Sequence, residues 1–202
     1  MFQVRIHGRG GQGVVAAAEI LSMASFDEGR HAQAFPSFGS ERMGAPVVSY
    51  CRIDDRPIRT HEPIAEPDAL IVQDATLVHQ VDLFSGLTGE AYVLVNTSKS
   101  FEELGLADLA ARFRPDRLLT CPATALALEH VGRPLPTAAL LGGFAALTGR
   151  ISLDALERAI GERFAGPVGA ANAAAARAAH AYVEDEARRA RDREVTARAA
   201  AD

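Results

Sequence analysis

Three features of the sequence predict an α/β fold with a mainly parallel, Rossmann-like sheet, a glycine-rich first turn and a helical C-terminal third. Apolar runs of strand length alternate with stretches of helical character. The first run is followed at once by Gly8-Arg9-Gly10-Gly11-Gln12-Gly13. The last third is rich in alanine and arginine. Alternation of strand and helix is the pattern of parallel sheets joined by right-handed crossovers.

The first strand is carried by Phe2, Val4 and Ile6, and its other face by Gln3, Arg5 and His7. A polar face is unusual for a strand covered on both sides. It marks an edge strand or a solvent-facing side, or else a face that meets a partner chain. The glycines that follow admit positive φ and let another group approach the main chain. Val14 to Phe26 is apolar nearly all round, so a largely buried helix is expected, with Gly29 at its C-cap. A strand, a glycine turn and a helix N-terminus form a ready site for an anion. Gly10, Gly11, Gln12 and Gly13 are therefore the candidate contact for a ligand. The spacing Gly8-x-Gly10-x-x-Gly13 also satisfies the dinucleotide fingerprint, which alone is a weak signal.

The next stretch argues against nicotinamide binding. A dinucleotide fold places a second strand there, ending in an acid about 20 residues past the glycines. In this chain Pro36, Gly39, Gly44 and Pro46 break His31–Pro46 into a long irregular loop, and Glu41 comes too late. Loops of that length are usually functional. Phe35, Pro36, Ser37, Phe38, Glu41, Arg42 and Gly44 form a candidate partner interface, since aromatics and arginine are typical of interface cores. The alternative is a surface loop whose phenylalanines rejoin the core.

Val47–Ile53 is a strand, followed by a turn at Asp54–Pro57 and a short further strand at Pro57–Arg59. Buried strands follow at Ala69–Gln73, Ala91–Val95 and Arg117–Cys121, with helices at Thr76–Phe84, Phe101–Arg112 and Ala123–Val131 between them. Asp74, Asn96 and Pro122 then lie together at the carboxyl edge beside the glycine turn, where such folds bind ligands. Asp74 is a general base or ligand-orienting group on one reading and a helix cap on the other, and the cap is favoured. Thr137–Leu147 is a helix in which Gly142-Gly143 permits close packing. Ser152 caps another, to about Phe164, and Gly166–Gly169 breaks it. The tail after Tyr182-Val183 has high helix propensity and few large apolar residues, so it frays or needs a partner.

Composition bounds the function. The chain has 202 residues, 48% hydrophobic and 23% charged, which suits one sizeable soluble core. A net charge of -5 gives no basic stripe for nucleic acid. Cys51 and Cys121 are the only cysteines, too few for a cluster or a disulfide framework. The chain opens directly into a strand, with no cleavable apolar segment and no bilayer-length run, so a cytoplasmic setting without membrane contact is expected.

Several motifs carry a family resemblance. Arg9–Val15, Ala32–Gly39, Glu41-Arg42 and Gly44–Val47 resemble the gamma subunit of pyruvate:ferredoxin oxidoreductase, of the 2-oxoacid:acceptor oxidoreductases. Pro57-Ile58, Glu66–Asp68, Asp74–Leu77, Val95–Thr97, Pro122–Thr124 and Leu140–Gly142 echo it further. The likeness runs in register from Val4 to about Tyr182. It implies a gamma-type domain over 1–182 and a helical charged tail over 183–202. Ala34-Phe35-Pro36-Ser37-Phe38-Gly39 is of the pyruvate-like type, whereas Arg133–Ala138 departs from the Asn-Thr expected at 137–138.

The resemblance implies a non-catalytic subunit of a complex that oxidatively decarboxylates a pyruvate-like 2-oxoacid to acyl-CoA. Phenylglyoxylate dehydrogenase, forming benzoyl-CoA, is the alternative substrate branch; a stand-alone nucleotide-binding module or a pure scaffold is a different class. By the same resemblance the isolated chain is inactive and binds no cofactor alone. Thiamine diphosphate, magnesium and 4Fe–4S clusters belong to sister alpha, beta and ferredoxin-like delta subunits. Coenzyme A is the co-substrate, Gly10–Gly13 contact it, another anion or only a sister subunit, and electrons pass to ferredoxin or an NAD-linked subunit.

Overall fold

The computed structural model describes residues 1–37 and 43–199. In chain order the strands are β1 Phe2–Arg9, β2 His31–Pro36, β3 Pro46–Asp54, β4 Ala69–Val72, β5 Tyr92–Asn96 and β6 Leu118–Cys121. The helices are α1 Val14–Asp27, α2 Ala107–Ala110, α3 Ala123–Val131, α4 Thr137–Thr148, α5 Leu153–Arg163 and α6 Gly166–Ala199. The six strands form one sheet in the order β2-β3-β1-β4-β5-β6. The pairings β1–β4, β4–β5 and β5–β6 are parallel, while β1–β3 and β2–β3 are antiparallel. The predicted α/β class with a mostly parallel sheet and a helical last third is the one observed.

The second strand corrects the sequence reading. His31–Pro36 is not part of an irregular loop; it pairs with β3 from His31↔Asp54 to Pro36↔Ser49, and Ser37 continues the ladder onto the Val48 carbonyl. Pro36 is tolerated because β2 is an edge strand, where a missing N–H need cost no ladder bond. The nicotinamide reading still fails, because β3 stands between this strand and β1 and the strand ends in no acid.

The polar face of β1 also has a different cause from the edge or solvent-facing side expected. β1 lies inside the sheet between β3 and β4, and Arg5 and His7 are buried. The Arg5 guanidinium donates to the carbonyls of Leu83 (2.8 Å), Ser85 (2.6 Å) and Ala65 (3.4 Å). This face is covered by irregular segments of the same chain, whose carbonyls take both terminal nitrogens of the guanidinium, while its Nε meets no described acceptor.

Those segments replace two predicted helices. Thr76–Phe84 shortens to a 3-10 turn at Ala75–His79, and Phe101–Arg112 to α2. Gly86 (φ 77), just past the first stretch, and Gly105 (φ 71), inside the second, occupy the left-handed region, where a helix ends. Folding back brings Leu77, Leu83, Leu87 and Phe113 over Leu70, Val72, Val93 and Val95, a second core on this side of the sheet. Pro57–Arg59 adds no strand.

The main core lies on the other face. There α1, α4 and α6 pack on Val4, Ile6, Ile71 and Leu94. α1 buries Val14, Ala17, Ile20, Leu21 and Ala24 and ends, as expected, with Gly29 in the left-handed region after Glu28. Ser152 caps α5 by accepting from the Ala155 N–H. Gly166 breaks the chain after α5, but Pro167 stands in the first turn of α6, where its missing N–H costs little, so the break is also a helix start. Beyond Tyr182, α6 continues with Val183, Ala187 and Ala190 buried, a helical stripe laid on the body. No helix among the described residues is long and apolar enough to cross a membrane.

α4 is the central helix, buried over most of its length. A Cβ at Gly142 would stand 2.0 Å from the Ala176 carbonyl oxygen, and one at Gly143 would stand 3.0 Å from Val183 Cγ2. The expected close packing is therefore against α6, and at Gly142 it is backbone against backbone. Gly142→Ala is expected to destabilise the chain by about 2 kcal/mol or more, as overpacking does. Gly161→Ala, on a helix with open space around the site, is expected to stabilise it by about 0.5–1 kcal/mol. Denaturant unfolding of the two variants checks both signs.

Candidate functional site

The glycine turn connects β1 to α1 at the carboxyl edge of the parallel strands. Gly11 (φ 93) and Gly13 (φ 82) occupy the left-handed region, which L residues rarely enter. The turn is sewn to the lead-in of β3: Gly10 N–H donates to the Ala45 carbonyl (2.9 Å), and Gly44 N–H to that of Gly10 (3.1 Å). Gln12 N–H closes onto the Arg9 carbonyl at 3.0 Å. No described residue accepts from the N–H groups of Gly11, Gly13, Val14, Val15 or Ala16, and Gly13 supplies no side-chain cap. These free donors and the helix partial charge give the turn an anion preference.

Asp74, which follows Gln73 at the end of β4, fixes the shape of the turn. Its Oδ2 accepts from Arg9 Nε (3.0 Å) and Gln12 Nε2 (2.9 Å), and its Oδ1 from the Thr76 N–H (3.0 Å) and hydroxyl (2.5 Å). Arg9 spreads its remaining donors over the Gly44 carbonyl (3.1 Å), Thr76 Oγ1 (2.7 Å) and Gln80 Oε1 (2.9 Å). Gln12 Oε1 returns to the Arg9 N–H at 2.7 Å. Burial pushes the Asp74 carboxyl up, but the Thr76 and Gln12 hydrogen bonds and the Arg9 charge outweigh it and hold it below the ordinary range. Asp74 is therefore a cap and an anchor. With both oxygens committed and a lowered pKa, it is a poor general base and holds no free oxygen for a ribose.

On the helical side the turn forms the floor of a cavity of about 580 Å³, within the size range of small-molecule sites. Gly11, Gln12 and Gly13 line it from β1–α1, Arg133 and Thr137 from the start of α4, and Asn172 from α6. The Thr137 hydroxyl donates to the Gln12 carbonyl at 3.0 Å, tying α4 to the turn. A Cβ at Gly13 would meet that hydroxyl at 2.7 Å. Gln73, 1% exposed, reaches Thr137 Oγ1 with Nε2 at 3.5 Å, and no described residue donates to its Oε1. Asn96 joins the same edge, donating to the Gln73 carbonyl and Thr124 Oγ1, both at 2.8 Å.

The other face of the sheet carries a polar–aromatic layer. The Phe35 ring stacks on Tyr50 at 5.1 Å, and the Arg52 guanidinium lies over it at 4.9 Å. Arg52 is satisfied by Gln3, Gln33 and the Glu62 carbonyl. His7, beneath this layer in β1, is 5% exposed and its Nε2 meets no described partner. Burial, with the Arg5 charge adding to it, brings its pKa down to about 4, so the ring is neutral at physiological pH.

Of the sequence-predicted residues, Gly10–Gly13 form one turn, and Gly44 is bonded to it. Phe35, Pro36 and Ser37 stand half-buried at the end of β2. Phe38, Glu41 and Arg42 lie outside the described residues. Sequence reasoning missed Arg133, Arg163, Thr137 and Asn172 as neighbours of the turn. The unusual Arg133–Ala138 stretch signalled the first and third of these alone, because contacts across more than a hundred residues leave no local pattern.

The geometry defines an α/β module with an anion-type turn and, among the described residues, no assembled acid–base or nucleophilic set. Residues 3–182 match the model of the pyruvate ferredoxin/flavodoxin oxidoreductase family, and the chain belongs to that family. It is 47% identical over 184 residues to the pyruvate/ketoisovalerate oxidoreductases common subunit gamma of Pyrococcus furiosus, covering 91% of this chain and 98% of that one. It is 46% identical over 180 residues to pyruvate synthase subunit PorC of Methanothermobacter marburgensis, covering 89% and 96%. The crystal structure of pyruvate oxidoreductase subunit PORC from Thermotoga maritima matches with a TM-score of 0.74 at 33% identity, over 89% and 94% of the two chains.

His7 makes stability depend on pH. Its folded pKa lies below its unfolded value of 6.5, so as pH falls the unfolded chain takes up the proton first and stability drops between about 6.5 and 4. Linkage gives a loss of about 2 kcal/mol from this group between pH 7 and pH 5. Urea unfolding of the wild-type chain at the two pH values is expected to show that loss, and His7→Phe to remove most of it.

Proposed function

We propose that this chain is the non-catalytic gamma subunit of a CoA-acylating 2-oxoacid:ferredoxin oxidoreductase, supporting oxidative decarboxylation of a pyruvate-like 2-oxoacid to acyl-CoA. The observation that carries the reading is its likeness to gamma and PorC subunits over nearly their whole length. Pyruvate is placed ahead of phenylglyoxylate because the relatives are named for pyruvate and ketoisovalerate. Thiamine diphosphate with magnesium supplies the decarboxylation chemistry in such complexes, and 4Fe–4S clusters carry the electrons. We assign these to the sister alpha, beta and delta subunits, with ferredoxin or an NAD-linked subunit as acceptor.

The residues of this chain fit that division. Cys51 and Cys121 are both buried, and burial pushes their thiols up to about 12, against thiolate ligation. They stand on β3 and β6, with β1, β4 and β5 between them. Gly10–Gly13 present free N–H groups where an anionic part of coenzyme A can bind. Phe35, Pro36, Ser37 and Gly44, with Phe38, Glu41 and Arg42, serve as the contact with a large sister subunit. Met43 beside them is 90% exposed, an apolar side chain that contact would cover.

The test is purification of the native complex and assay of CoA-dependent dye reduction with pyruvate, 2-oxoisovalerate and phenylglyoxylate. Co-purification of this chain with iron- and thiamine-containing subunits, and turnover with the first two substrates, is the expected result. The chain expressed alone is expected to be colourless and inactive. A complex that assembles and turns over without this chain, or stoichiometric iron in the isolated chain, would overturn the reading.

A further inference from the structure

β2 is an outer strand of the sheet, and its free edge is unguarded. Such an edge presents unpaired N–H and C=O groups that template pairing with another chain, and charges or bulges usually blunt it. His31–Pro36 carries no lysine, arginine or carboxylate, and its ladder with β3 runs from His31↔Asp54 to Pro36↔Ser49 without a bulge. One step on, the Ser37 N–H donates to the Val48 carbonyl at 2.9 Å. Hydrogen-bonded and non-bonded pairs alternate along an antiparallel ladder. His31, Gln33 and Phe35 therefore bond to β3, while Ala32, Ala34 and Pro36 turn their main-chain groups outward. No described residue bonds to the outward groups of Ala32 or Ala34.

The outward pattern reads the same in both directions. Ala32 and Ala34 each offer a donor. Beyond Ala34, Pro36 has no N–H; before Ala32, the Arg30 N–H is spent on the Ser25 carbonyl at 3.1 Å. A second copy related by a two-fold axis through Gln33 sets Ala32 against its Ala34, and Arg30 against its Pro36. Each of the two alanine pairs then exchanges both of its N–H···O bonds. The positions without a donor face each other, so no outward donor is left over. This self-match selects a second copy of the chain over a foreign strand.

Phe26 gives an apolar reason for the same contact. It stands near the end of α1, a helix packed on β2, and is 73% exposed. α1 ends at Asp27 and β2 begins at His31, so the ring lies toward the His31 end of the strand. The two-fold brings that end to the second copy's Pro36 end, where the joint covers the ring. On the helix side Ala34 packs against the main core, and Ala32 shares its face. Side chains this small leave room at the joint for Phe26.

We propose that the chain pairs with a second copy of itself through β2, edge to edge and antiparallel, joining two sheets into one. An isologous contact of this kind closes on itself. It is separate from the sister-subunit contact, which uses side chains at the end of β2 and beyond it, and it does not depend on the reaction the chain supports.

Disulfide trapping of the full chain tests it. The axis sets Gln33 opposite the second copy's Gln33 in a non-bonded pair, with Cα atoms about 4.5 Å apart, within disulfide reach. Cys51 and Cys121 are buried and leave the background low. Under mild oxidation Gln33→Cys is expected to give a covalent dimer about tenfold faster than Thr88→Cys, at an exposed site outside the joint. Light scattering of the wild-type chain is expected to give the mass of a dimer. Ala34→Pro removes an outward donor without touching the β2–β3 ladder, and is expected to give a folded monomer by circular dichroism. Phe26→Lys, at an exposed ring, is expected to slow trapping about tenfold, as loss of an apolar anchor does. Trapping at Gln33 no faster than at Thr88 overturns the proposal. A dimer that survives Ala34→Pro with Gln33 untrapped lies elsewhere and overturns it as well. Slow exchange of the Ala32 and Ala34 amides in the assembled complex, without trapping there, gives the edge to a sister subunit's strand and overturns it too.

Discussion

The carboxylate of Asp74 organises the carboxyl edge of the sheet. Four hydrogen bonds converge on it from Arg9, Gln12 and Thr76. Through Arg9 it reaches Gly44 and Gln80, and through Gln12 it reaches the peptide of Arg9 and, by way of Thr137, the start of α4. Charge-assisted bonds of this kind are about twice as strong as neutral ones. Side chains share the work of holding the turn with the N–H groups of Gly10 and Gln12, and the main-chain donors of Gly11 and Gly13 are left free.

The same economy of contacts governs the helical face. Glycine at 142 allows α6 to lie directly against α4, and α6 brings Asn172 to the cavity. Close packing on one side and the glycine turn on the other define the walls of one pocket. The opposite face of the sheet is different in kind: irregular segments cover it, and their carbonyls accept from the terminal nitrogens of a buried arginine. A chain of this size thus covers one side of its sheet with regular helices and the other with turns.

Much of this was legible in the sequence where the signal is local. Strand alternation in Phe2–Ile6, the glycine turn, the cap at Ser152 and the family motifs from Arg9 to Gly142 each depend on a few adjacent residues. β2 was misread because Pro36 and the glycines after it look like loop chemistry, and only its place at the sheet edge makes Pro36 harmless. The helices at Thr76–Phe84 and Phe101–Arg112 failed because the segments must fold back to cover Leu70 and Val93, a tertiary demand that overrides propensity. Arg5 and His7 carried a true signal of an unusual face, but their burial by residues 65 and 83–85 has no trace in β1 itself. The candidate site was half legible: the turn is a motif, whereas Arg133, Thr137 and Asn172 reach it from the last third of the chain.

The central claim is that Asp74, Arg9 and the glycine turn act as one unit. A double-mutant cycle of Arg9→Ala and Asp74→Ala, measured by denaturant unfolding, tests it most directly. The account predicts a coupling of about 1–2 kcal/mol, the double variant being less destabilised than the sum of the single ones. Effects that add to within about 0.5 kcal/mol would show two independent contacts and contradict it.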